Sequence, residues 1–597
     1  MTKRRPGALA IQCVFAALVV ATFAAFFATT RLKRSPPVVQ ELAVRRHFSP
    51  NVDGRLDVAP VRFRLRRSDD VTVLIVSRDG EQVATLADDV RLGKGGHRFV
   101  WNGRADDDRI APDGVYYARV VLRHQGRVVT SPRKLFLDTT GPSSIVRYVS
   151  PDAITPGVPG AERARVRFTG PTRIAPTLLV YRTNERPGVR PLLVARRAGK
   201  RDDPNLSWDG RVGLGRDTRL APAGNYLMVV RTRDAAGNDG PEGPPRTAAE
   251  VRGNPGVVVR YLAAVAPRDR VNAGGVARFA VLAAGRRYRW SVSRVGSSRP
   301  QKRGRSSDRT LRVGVPRRSR TGAYLLELTL DEHRYATPFA VQGRGREPVL
   351  VVLPVASWIA RDPIDSDGDG YSDTLPQSDS VPASRPIAGS GLPGGFETSL
   401  VPALEFLDRA KLRYDIASDL DRRFARLLDR HPGVLYAASP RVETTTALGS
   451  LRSHMRAGGQ LAWLGTGGFV TDARVEKDAF VRVPSPPGAN SFGERLRIDP
   501  AGGPLSVGAN RNGLFENVPS PFGPFASLEL AQSVPKGAQR TAAAGPPDQG
   551  PAIVSYRMGA GGFTRVGAAD FGQSLRADGG LPSSAQIMRN LWNLLRS

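Results

Sequence analysis

Residues 8–30 form a run of 23 amino acids without a charged side chain, ALAIQCVFAALVVATFAAFFATT. A helix rises about 1.5 Å per residue, so this run would measure roughly 34 Å, and the hydrocarbon core of a bilayer is about 30 Å thick. No other stretch of the chain is comparably apolar. The sequence therefore predicts a transmembrane helix over 8–30, preceded by a basic tail over 1–7 and followed by a large polar body.

Two interpretations of this segment stay open, an uncleaved signal anchor and a cleaved signal peptide. A signal peptide usually has an apolar core of about 7–15 residues, so the greater length here favours the anchor. Arg31, Lys33 and Arg34 flank the far side of the run, so charge does not decide its orientation. We expect a single-pass cell membrane protein with an extracytoplasmic body, for which the membrane is a partner through the N-terminal helix.

The position of the single cysteine limits which groups the polar body after residue 30 can form. Cys13 is the only cysteine, and it lies inside the apolar run. The body therefore cannot contain a disulfide, a thiolate metal site or a cysteine nucleophile. An exported body without disulfides is typical of a bacterial surface protein rather than of a small secreted module.

The chain is strongly basic, with a formal net charge of +33, and its cations are 79 arginines and nine lysines. The arginines are spread along the whole sequence and accompany no nucleic-acid-binding motif, so we expect no nucleic-acid partner. A compositional preference for arginine over lysine is sufficient to produce this charge. Attraction to anionic lipid or anionic cell-wall polymers is expected, without specificity for one of them.

Two segments of similar length share the same pair of turn motifs. The first contains Trp101-Asn102-Gly103-Arg104 and Ala111-Pro112-Asp113-Gly114-Val115-Tyr116, and the second contains Trp208-Asp209-Gly210-Arg211 and Ala221-Pro222-Ala223-Gly224-Asn225-Tyr226. Alternating apolar and polar residues between the turns predict strands. The sequence thus predicts β-sandwiches over 36–142 and 145–250, and a further β-sandwich-like domain over 255–343 without these turns.

The first of these domains opens with Phe48-Ser49-Pro50-Asn51-Val52-Asp53-Gly54, and the second closes with Asp234-Ala235-Ala236-Gly237-Asn238. These motifs resemble the start and the end of immunoglobulin-like domains of the hook-capping-protein type (FlgD-like) and of bacterial surface proteins. The resemblance implies an immunoglobulin-like fold and the role of a spacer. A sandwich fold by itself carries no function.

From residue 346 to 597 the pattern changes to alternating strands and helices. Val349–Leu353 is a short apolar run typical of a buried parallel strand. Further strands are predicted over Tyr414–Ala417, Val434–Ala438 and Leu461–Gly465, and helices over Leu400–Lys411, Asp419–Leu428, Thr446–Ala457 and Ser583–Leu595. This alternation predicts an α/β doubly wound domain with a mostly parallel sheet.

Several motifs in this region carry a family resemblance: Pro338-Phe339-Ala340-Val341, Arg385-Pro386, Ser418-Asp419-Leu420-Asp421, Gly458-Gly459-Gln460 and Leu461-Ala462-Trp463-Leu464-Gly465. In this order they resemble the C-terminal region of the large (beta) subunit of N,N-dimethylformamidase, over roughly residues 320–597. That region is similar to the class I glutamine amidotransferase-like fold. The amidotransferase reaction needs a cysteine nucleophile, and its absence here excludes that reaction.

The formamidase resemblance implies one iron ion held by tyrosine and glutamate, near a His-Asp-Glu-Tyr-Trp stretch. The matching stretch here is Ser439-Pro440-Arg441-Val442-Glu443, which has valine at the tyrosine position and serine at the histidine position. We therefore expect an incomplete site and no iron. Glu443 is predicted to be an exposed residue at a helix start, and His431 and His454 are predicted to lie at the surface or in packing contacts. No catalytic residue is predicted.

The sharpest chemical motif is Asp365-Ser366-Asp367-Gly368-Asp369-Gly370-Tyr371-Ser372-Asp373. Oxygen donors at positions 1, 3, 5 and 9, the carbonyl of position 7 and a glycine at position 6 are typical of a calcium loop. The candidate calcium ligands are Asp365, Asp367, Asp369, Tyr371 and Asp373. A bound ion would be structural, clamping the loop between the first strand and the first helix of the α/β domain; the alternative is a solvated acidic loop.

Three functions remain open at this point. The first is a membrane-anchored extracytoplasmic protein whose sandwiches present a non-catalytic formamidase-like domain with a binding or structural role at the cell surface. The second is a metal-dependent amide hydrolase of the formamidase type, and the third is an adhesion protein for cell-wall polymers. The sequence identifies no ligand for the α/β domain.

Overall fold

The structure is a computed structural model that describes residues 7–34, 38–183 and 188–597. Of the basic tail predicted over 1–7, residues 1–6 lie outside this described part. Helix α1 spans Gly7–Arg34, and its side chains are described over 11–27, where all are exposed. Across the described residues, no helix combines the length and the apolar character that crossing a membrane requires. The predicted helix over 8–30 is thus present, whereas its transmembrane role has no support from this finding.

The smaller of two compact units comprises residues 1–143, 170–176 and 231–242. Its first sandwich has nine strands: β1 (Val39–Val44), β2 (His47–Phe48), β3 (Ala59–Leu65), β4 (Asp69–Ser77), β5 (Gln82–Leu92), β6 (Gly95–Trp101), β7 (Gly114–Leu122), β8 (Arg127–Thr130) and β9 (Leu135–Leu137). A three-stranded sheet β1-β3-β6 and a six-stranded sheet β2-β9-β7-β4-β5, with β8 on β7, share one apolar core. This is the immunoglobulin-like sandwich that the sequence predicts.

The predicted opening and closing motifs meet inside this smaller unit. The Asn238 side-chain amide nitrogen donates to the Asp138 carbonyl at 2.8 Å, and the Asn238 amide oxygen accepts from Asn51 at 3.2 Å. The Asp234–Asn238 turn therefore closes the sandwich that begins with the Phe48–Gly54 motif.

The larger unit comprises residues 144–169, 177–230 and 243–597. Its strands before the α/β region are β10 (Ile145–Ser150), β11 (Ala153–Ile154), β12 (Ala164–Thr169), β13 (Thr177–Arg182), β14 (Leu192–Ala198), β15 (Asn205–Trp208), β16 (Arg211–Val212), β17 (Arg219–Leu220), β18 (Gly224–Arg233), β19 (Asp239–Gly240, assigned to the smaller unit), β20 (Gly256–Val259), β21 (Ala263–Val265), β22 (Val271–Asn272), β23 (Val276–Leu282), β24 (Tyr288–Arg294), β25 (Lys302–Ser306), β26 (Thr310–Gly314), β27 (Gly322–Leu330) and β28 (His333–Gln342). The second sandwich joins the sheets β10-β12-β15 and β11-β20-β18-β13-β14, and the third joins β21-β23-β26 and β22-β28-β27-β24-β25.

The repeated turns have the same geometry in the first and the second sandwich. The indole nitrogen of each tryptophan donates to the carbonyl of the arginine three residues on, at 2.7 Å for Trp101 and 2.8 Å for Trp208. Each tyrosine hydroxyl donates to the carbonyl of the turn proline, at 2.6 Å for Tyr116 and 2.8 Å for Tyr226. Within each sandwich the two rings pack together, so the repeat fixes one aromatic pair per core.

The α/β region contains the helices α2 (Val355–Ala360), α3 (Val401–Arg409), α4 (Phe424–Leu428), α5 (Thr445–Arg456) and α6 (Pro582–Arg596) and the strands β29 (Val349–Leu353), β30 (Ser380–Pro382), β31 (Asp415–Ser418), β32 (Gly433–Tyr436), β33 (Val442–Thr444), β34 (Gln460–Leu464), β35 (Thr471–Glu476), β36 (Ala479–Val483), β37 (Leu496–Asp499), β38 (Gly503–Asn510), β39 (Phe522–Phe525), β40 (Leu528–Ala531), β41 (Gln539–Gly545), β42 (Ile553–Met558) and β43 (Gly561–Val566). The main sheet has the order β31-β29-β32-β34-β43-β42-β41-β38-β39.

The first five strands of this sheet run parallel, and the remaining pairs are antiparallel. Alternate residues of β29 lie in two different apolar clusters, one shared with α3 and α6 and the other with α4 and α5. Both faces of the parallel half are therefore covered by helices. The antiparallel half was not predicted, because its short strands alternate with glycine- and proline-rich turns rather than with helices.

One glycine of the repeat permits a direct test of the turn. Gly210 has a φ of +70°, and a Cβ there would lie 2.5 Å from Cγ of Pro156. Gly210→Ala should lower the free energy of unfolding by about 1–3 kcal/mol through backbone strain and steric overlap, measured by chemical denaturation of the full chain. Gly215→Ala is the matched control, because no atom lies within 4 Å of its Cβ position. Equal stability of the two variants would show that the turn tolerates a side chain at residue 210.

Candidate functional site

The parallel strands place their carboxyl ends at one edge of the sheet. The chain passes from β29 to β31 on one side and then to β32 on the other, so the winding direction changes between β29 and β32. Ligands of doubly wound domains bind in the crevice at such a position. The residues that follow these strands therefore define the first candidate site.

This crevice contains two carboxylates, Asp419 after β31 and Glu443 in β33, which we call the acid pair. Glu443 is fully buried, and Asp419 is 4% exposed. The Tyr436 hydroxyl donates to Oε2 of Glu443 at 2.8 Å, and the backbone nitrogen of Thr444 donates to Oε1 at 2.8 Å. The backbone nitrogen of Ala356, in α2, donates to Oδ1 of Asp419 at 3.1 Å.

Burial changes the protonation of the acid pair. Burial raises the pKa of Glu443 to about 7. Burial, together with the negative charge of Glu443, raises the pKa of Asp419 well above its ordinary value. Two buried carboxylates that oppose each other's ionisation bind a proton more tightly than carboxylates in water do. Protonation of the acid pair therefore favours the folded state.

The acid pair corrects two predictions. Glu443 is not an exposed residue at a helix start, since Thr444 is the N-cap of α5 and its hydroxyl accepts from the Ala447 nitrogen. Asp419 does not begin a helix, because α4 starts only at Phe424. Both side chains are instead buried at the sheet edge, where the backbone nitrogen of the adjacent Thr444 donates to Glu443 and that of Ala356, from α2, donates to Asp419.

The residues that match the iron ligands of the formamidase resemblance do not fit a metal. Val442 is fully buried in an apolar cluster with Ile359 and Phe480, and its side chain has no donor atom. The Ser439 hydroxyl donates to the Thr466 carbonyl at 2.6 Å. The Val442 side chain is hydrocarbon and the Ser439 hydroxyl is already engaged in a hydrogen bond, so neither of these two positions supplies the iron ligand that the resemblance implies.

The two histidines of this region are structural in the described residues. His431 is buried, with Nδ1 at 2.6 Å from the Leu427 carbonyl and Nε2 at 3.0 Å from the Asp415 carboxylate. His454 is buried on the packed face of α5. The packing roles predicted for them agree with these positions.

A second buried ionic group lies beside the glycine turn after β34, and sequence reasoning missed it. Arg565 and Glu494 are fully buried and form two parallel hydrogen bonds of 2.9 Å. Glu529 accepts from the backbone nitrogen of Gly467 at 2.8 Å, and its carbonyl accepts from Arg565 at 2.6 Å. The group fixes the turn, and its three members come from segments too far apart for a sequence motif.

The predicted calcium loop is the second candidate site. Carboxylate oxygens of Asp365, Asp367 and Asp373 lie within 4.8 Å of one another. Asp369 is not in this group, and its carboxylate accepts from the Tyr371 nitrogen at 2.6 Å. The structure thus brings together three of the four predicted carboxylates.

The loop holds its carboxylates with backbone donors. The backbone nitrogens of Gly368 and Gly370 donate to Asp365 at 2.7 and 2.9 Å, and that of Ser366 donates to Asp373 at 2.6 Å. Burial and the neighbouring carboxylates raise the pKa of Asp365 to about 7 and that of Asp369 to about 6. The loop therefore concentrates negative charge that a hard cation would compensate.

The position of the loop differs from the prediction. It follows α2 rather than joining the first strand to the first helix, and it docks on the second sandwich. The Thr183 hydroxyl donates to the Gly370 carbonyl at 2.7 Å, the Asp365 nitrogen donates to Oδ1 of Asn225 at 3.1 Å, and the Tyr371 hydroxyl donates to the Pro245 carbonyl at 2.5 Å. The loop thus joins the sandwich to the α/β region within the larger unit.

Comparison with known proteins gives one family match. A family model described as N,N-dimethylformamidase beta subunit-like, C-terminal, matches residues 285–488. The formamidase resemblance of this region is thereby supported. The match covers the third sandwich from β24 onward, the acid pair and the calcium loop, and it leaves out Glu494, Glu529 and Arg565. No curated protein gives a significant match to the chain.

Solved structures with similar parts are β-rich. They include the surface component PorZ of the type-IX secretion system of Porphyromonas gingivalis, with 15% identity over 16% of this chain and a TM-score of 0.12. This chain spans 11% of the length of PorZ. The titin I-band fragment I67–I69 (10% identity, 51% of this chain, 98% of that chain, TM-score 0.20) and a bacterial ice-binding adhesin (12%, 51%, 96%, TM-score 0.22) also match. Overlaps of this size say nothing about activity.

The acid pair predicts a characteristic pH dependence of stability. The folded chain binds the Glu443 proton more tightly than the unfolded chain, so stability is greatest below the ordinary glutamate pKa and decreases as the pH rises toward about 7. Glu443→Gln cannot ionise. The melting temperature of this variant should therefore rise relative to wild type as the pH increases from about 4.5 to about 7.5.

The matched control for this prediction is Glu476→Gln, which changes an exposed glutamate. Its melting temperature should differ from wild type by the same amount at every pH. A difference between Glu443→Gln and wild type that stays constant over the same range would show that Glu443 does not retain its proton.

Proposed function

We propose that the chain is a surface protein whose β-sandwich modules present a formamidase-like domain that binds rather than hydrolyses. The observation that carries this proposal is that buried Val442 and hydrogen-bonded Ser439 stand at positions where the formamidase resemblance implies tyrosine and histidine. The burial of the acid pair supports it, because carboxylates without access to solvent cannot contact a substrate bound in the crevice. The sandwich modules and the thiol-free body are compatible with presentation outside the cytoplasm.

The attachment to a membrane is a further part of the proposal. It is supported by the uncharged run over 8–30 and by the exposure of its apolar side chains, with Phe15 and Phe23 each 69% exposed. A helix that is apolar on all sides needs an apolar surrounding. Recovery of the full chain in the soluble fraction after lysis without detergent would contradict this attachment.

The binding role can be separated from hydrolysis by metal and product analysis of the purified full chain. We expect iron well below one equivalent and no amine release from N,N-dimethylformamide or other simple amides, because Val442 has no donor atom and the Ser439 hydroxyl is engaged with the Thr466 carbonyl. Stoichiometric iron together with amine release would contradict the proposal. It would favour the metal-dependent amide hydrolase instead.

We also propose that the loop over 365–373 binds a structural calcium ion. The cluster of Asp365, Asp367 and Asp373 supports this, as do the backbone contacts that preform the loop. Calcium sites of extracellular modules have dissociation constants of about 10⁻⁴–10⁻³ M, which suits a surface protein. The ion would strengthen the attachment of the α/β region to the second sandwich.

Calcium should raise the melting temperature of the chelator-treated full chain, with saturation at roughly millimolar concentration, whereas magnesium should not. Asp365→Asn should abolish this increase, because it removes a charged ligand from the centre of the cluster. Asp107→Asn, in an exposed acidic loop of the first sandwich, should keep it. A wild-type melting temperature that does not respond to about 10 mM calcium would contradict the site.

A further inference from the structure

A cavity of about 400 Å³ lies in the larger unit, and neither the acid pair nor the carboxylates of the calcium loop line it. It is formed where the second sandwich, the third sandwich and the segment after α2 meet. Four arginines line it: Arg182, Arg190, Arg260 and Arg334. Among its described lining residues, none is acidic. The described lining of the cavity thus carries four positive charges and no negative charge.

Arg260 is the central feature of this cavity. It follows β20 directly, and its backbone is fixed, since its nitrogen donates to the Ile154 carbonyl at 2.9 Å and its carbonyl accepts from the Thr155 hydroxyl at 2.8 Å. Burial lowers the pKa of its guanidinium, whereas Tyr335 and the carboxyl group of Asp362 act in the opposite direction. In the part of the chain that the structure describes, this guanidinium forms no direct hydrogen bond or ion pair, so the charge of Asp362 compensates it only from a distance.

Arg260 is half-buried, and the partial burial of a cation costs free energy unless an acceptor compensates it. Two more deeply buried arginines of the larger unit have such acceptors: Arg565 pairs with Glu494, and Arg385 donates to several backbone carbonyls. Arg260 differs from both, and it faces a cavity rather than the protein interior. Its retention is explained if an anion from solution enters the cavity and supplies the missing acceptors.

The cavity also has an aromatic wall. The rings of Tyr261 and His333 stack with centroids 4.0 Å apart and planes 11° from parallel. The Tyr261 hydroxyl donates to the Ala221 carbonyl at 2.6 Å, which fixes the ring. This wall offers a flat, partly apolar surface next to the arginines. It therefore favours an organic ligand over an inorganic ion.

From these observations we propose that this cavity binds a sugar-sized organic anion, with Arg260 pairing with its carboxylate or phosphate group and the Tyr261–His333 stack contacting its body. The site goes beyond the proposed function and does not depend on whether the formamidase-like domain is inactive. It would give the chain a defined recognition point for an acidic sugar unit, in place of diffuse attraction through its net charge.

The test uses the full chain, with melting temperature and titration calorimetry as readouts. Glucuronate and glucose 6-phosphate distinguish a carboxylate from a phosphate ligand, and glucose and inorganic phosphate are the neutral and the purely ionic controls. We expect a saturable increase in melting temperature with at least one of the two sugar anions. No response to either anion, or an equal response to inorganic phosphate at the same ionic strength, would overturn the proposal.

Arg260→Met separates a binding role from a structural one. It should weaken the binding of the sugar anion by about tenfold or more, and it should leave the melting temperature without ligand close to that of wild type, because the guanidinium forms no direct hydrogen bond or ion pair with the described residues. A structural arginine would give the opposite, a lower melting temperature with binding retained. That result would overturn the assignment.

Arg334→Gln keeps the test decisive if Arg260→Met does not fold. Arg334 lines the cavity and is exposed, so its substitution leaves the core intact while weakening the anion. Arg318→Gln, an exposed arginine outside the cavity, is the matched control and should bind as wild type. Equal loss in both variants would show that only the net charge of the chain attracts the anion.

Discussion

The guanidinium of Arg385 fixes the segment that runs from the end of α2 through the calcium loop. The calcium loop and the wall of the arginine cavity both depend on the position of this segment. Arg385 is 6% exposed and donates to the carbonyls of Ile359, Asp362 and Asp373 at 2.8–2.9 Å. Ile359 lies at the end of α2, Asp362 lies just before the calcium loop, and Asp373 is the last residue of that loop. One planar cation with five donors thus replaces the secondary structure that this segment lacks.

Much of the α/β region could be predicted from local pattern. Val349–Leu353 is a strand with the predicted bounds, and α5 begins at Thr445, one residue before the predicted Thr446. The repeated turns also behave as predicted, because Trp-x-Gly-Arg and its proline–tyrosine partner act within a few residues of each other. Predictions of this kind succeed where the deciding contacts are local.

The errors arose where the deciding contacts are distant. Glu443 has the sequence surroundings of a solvated residue beside a helix start, and only the fold shows Tyr436 and Asp419 closing over it. The spacing of the acidic loop predicts that four carboxylates converge, and three of them do. Its docking partner Asn225 lies 140 residues away from Asp365, so local spacing could not predict that contact. Arg260 is one of 79 arginines, and no pattern distinguishes it before its surroundings are known. The role of a charged residue depends on whether its side chain is buried, and burial is a property of the whole fold.

Asn225 has a position with a thermodynamic consequence. Its side chain accepts from Asp365 of the calcium loop and donates to the Pro363 carbonyl, and the same two residues, Asn225 and Pro363, line the arginine cavity. Calcium in the loop and an anion in the cavity would share this wall. If each ligand restricts the motion of the wall, the two ligands do not bind independently. Reciprocity then requires that calcium change the affinity for the anion by the same factor as the anion changes the affinity for calcium. The occupancy of each site would then depend on the concentration of the other site's ligand.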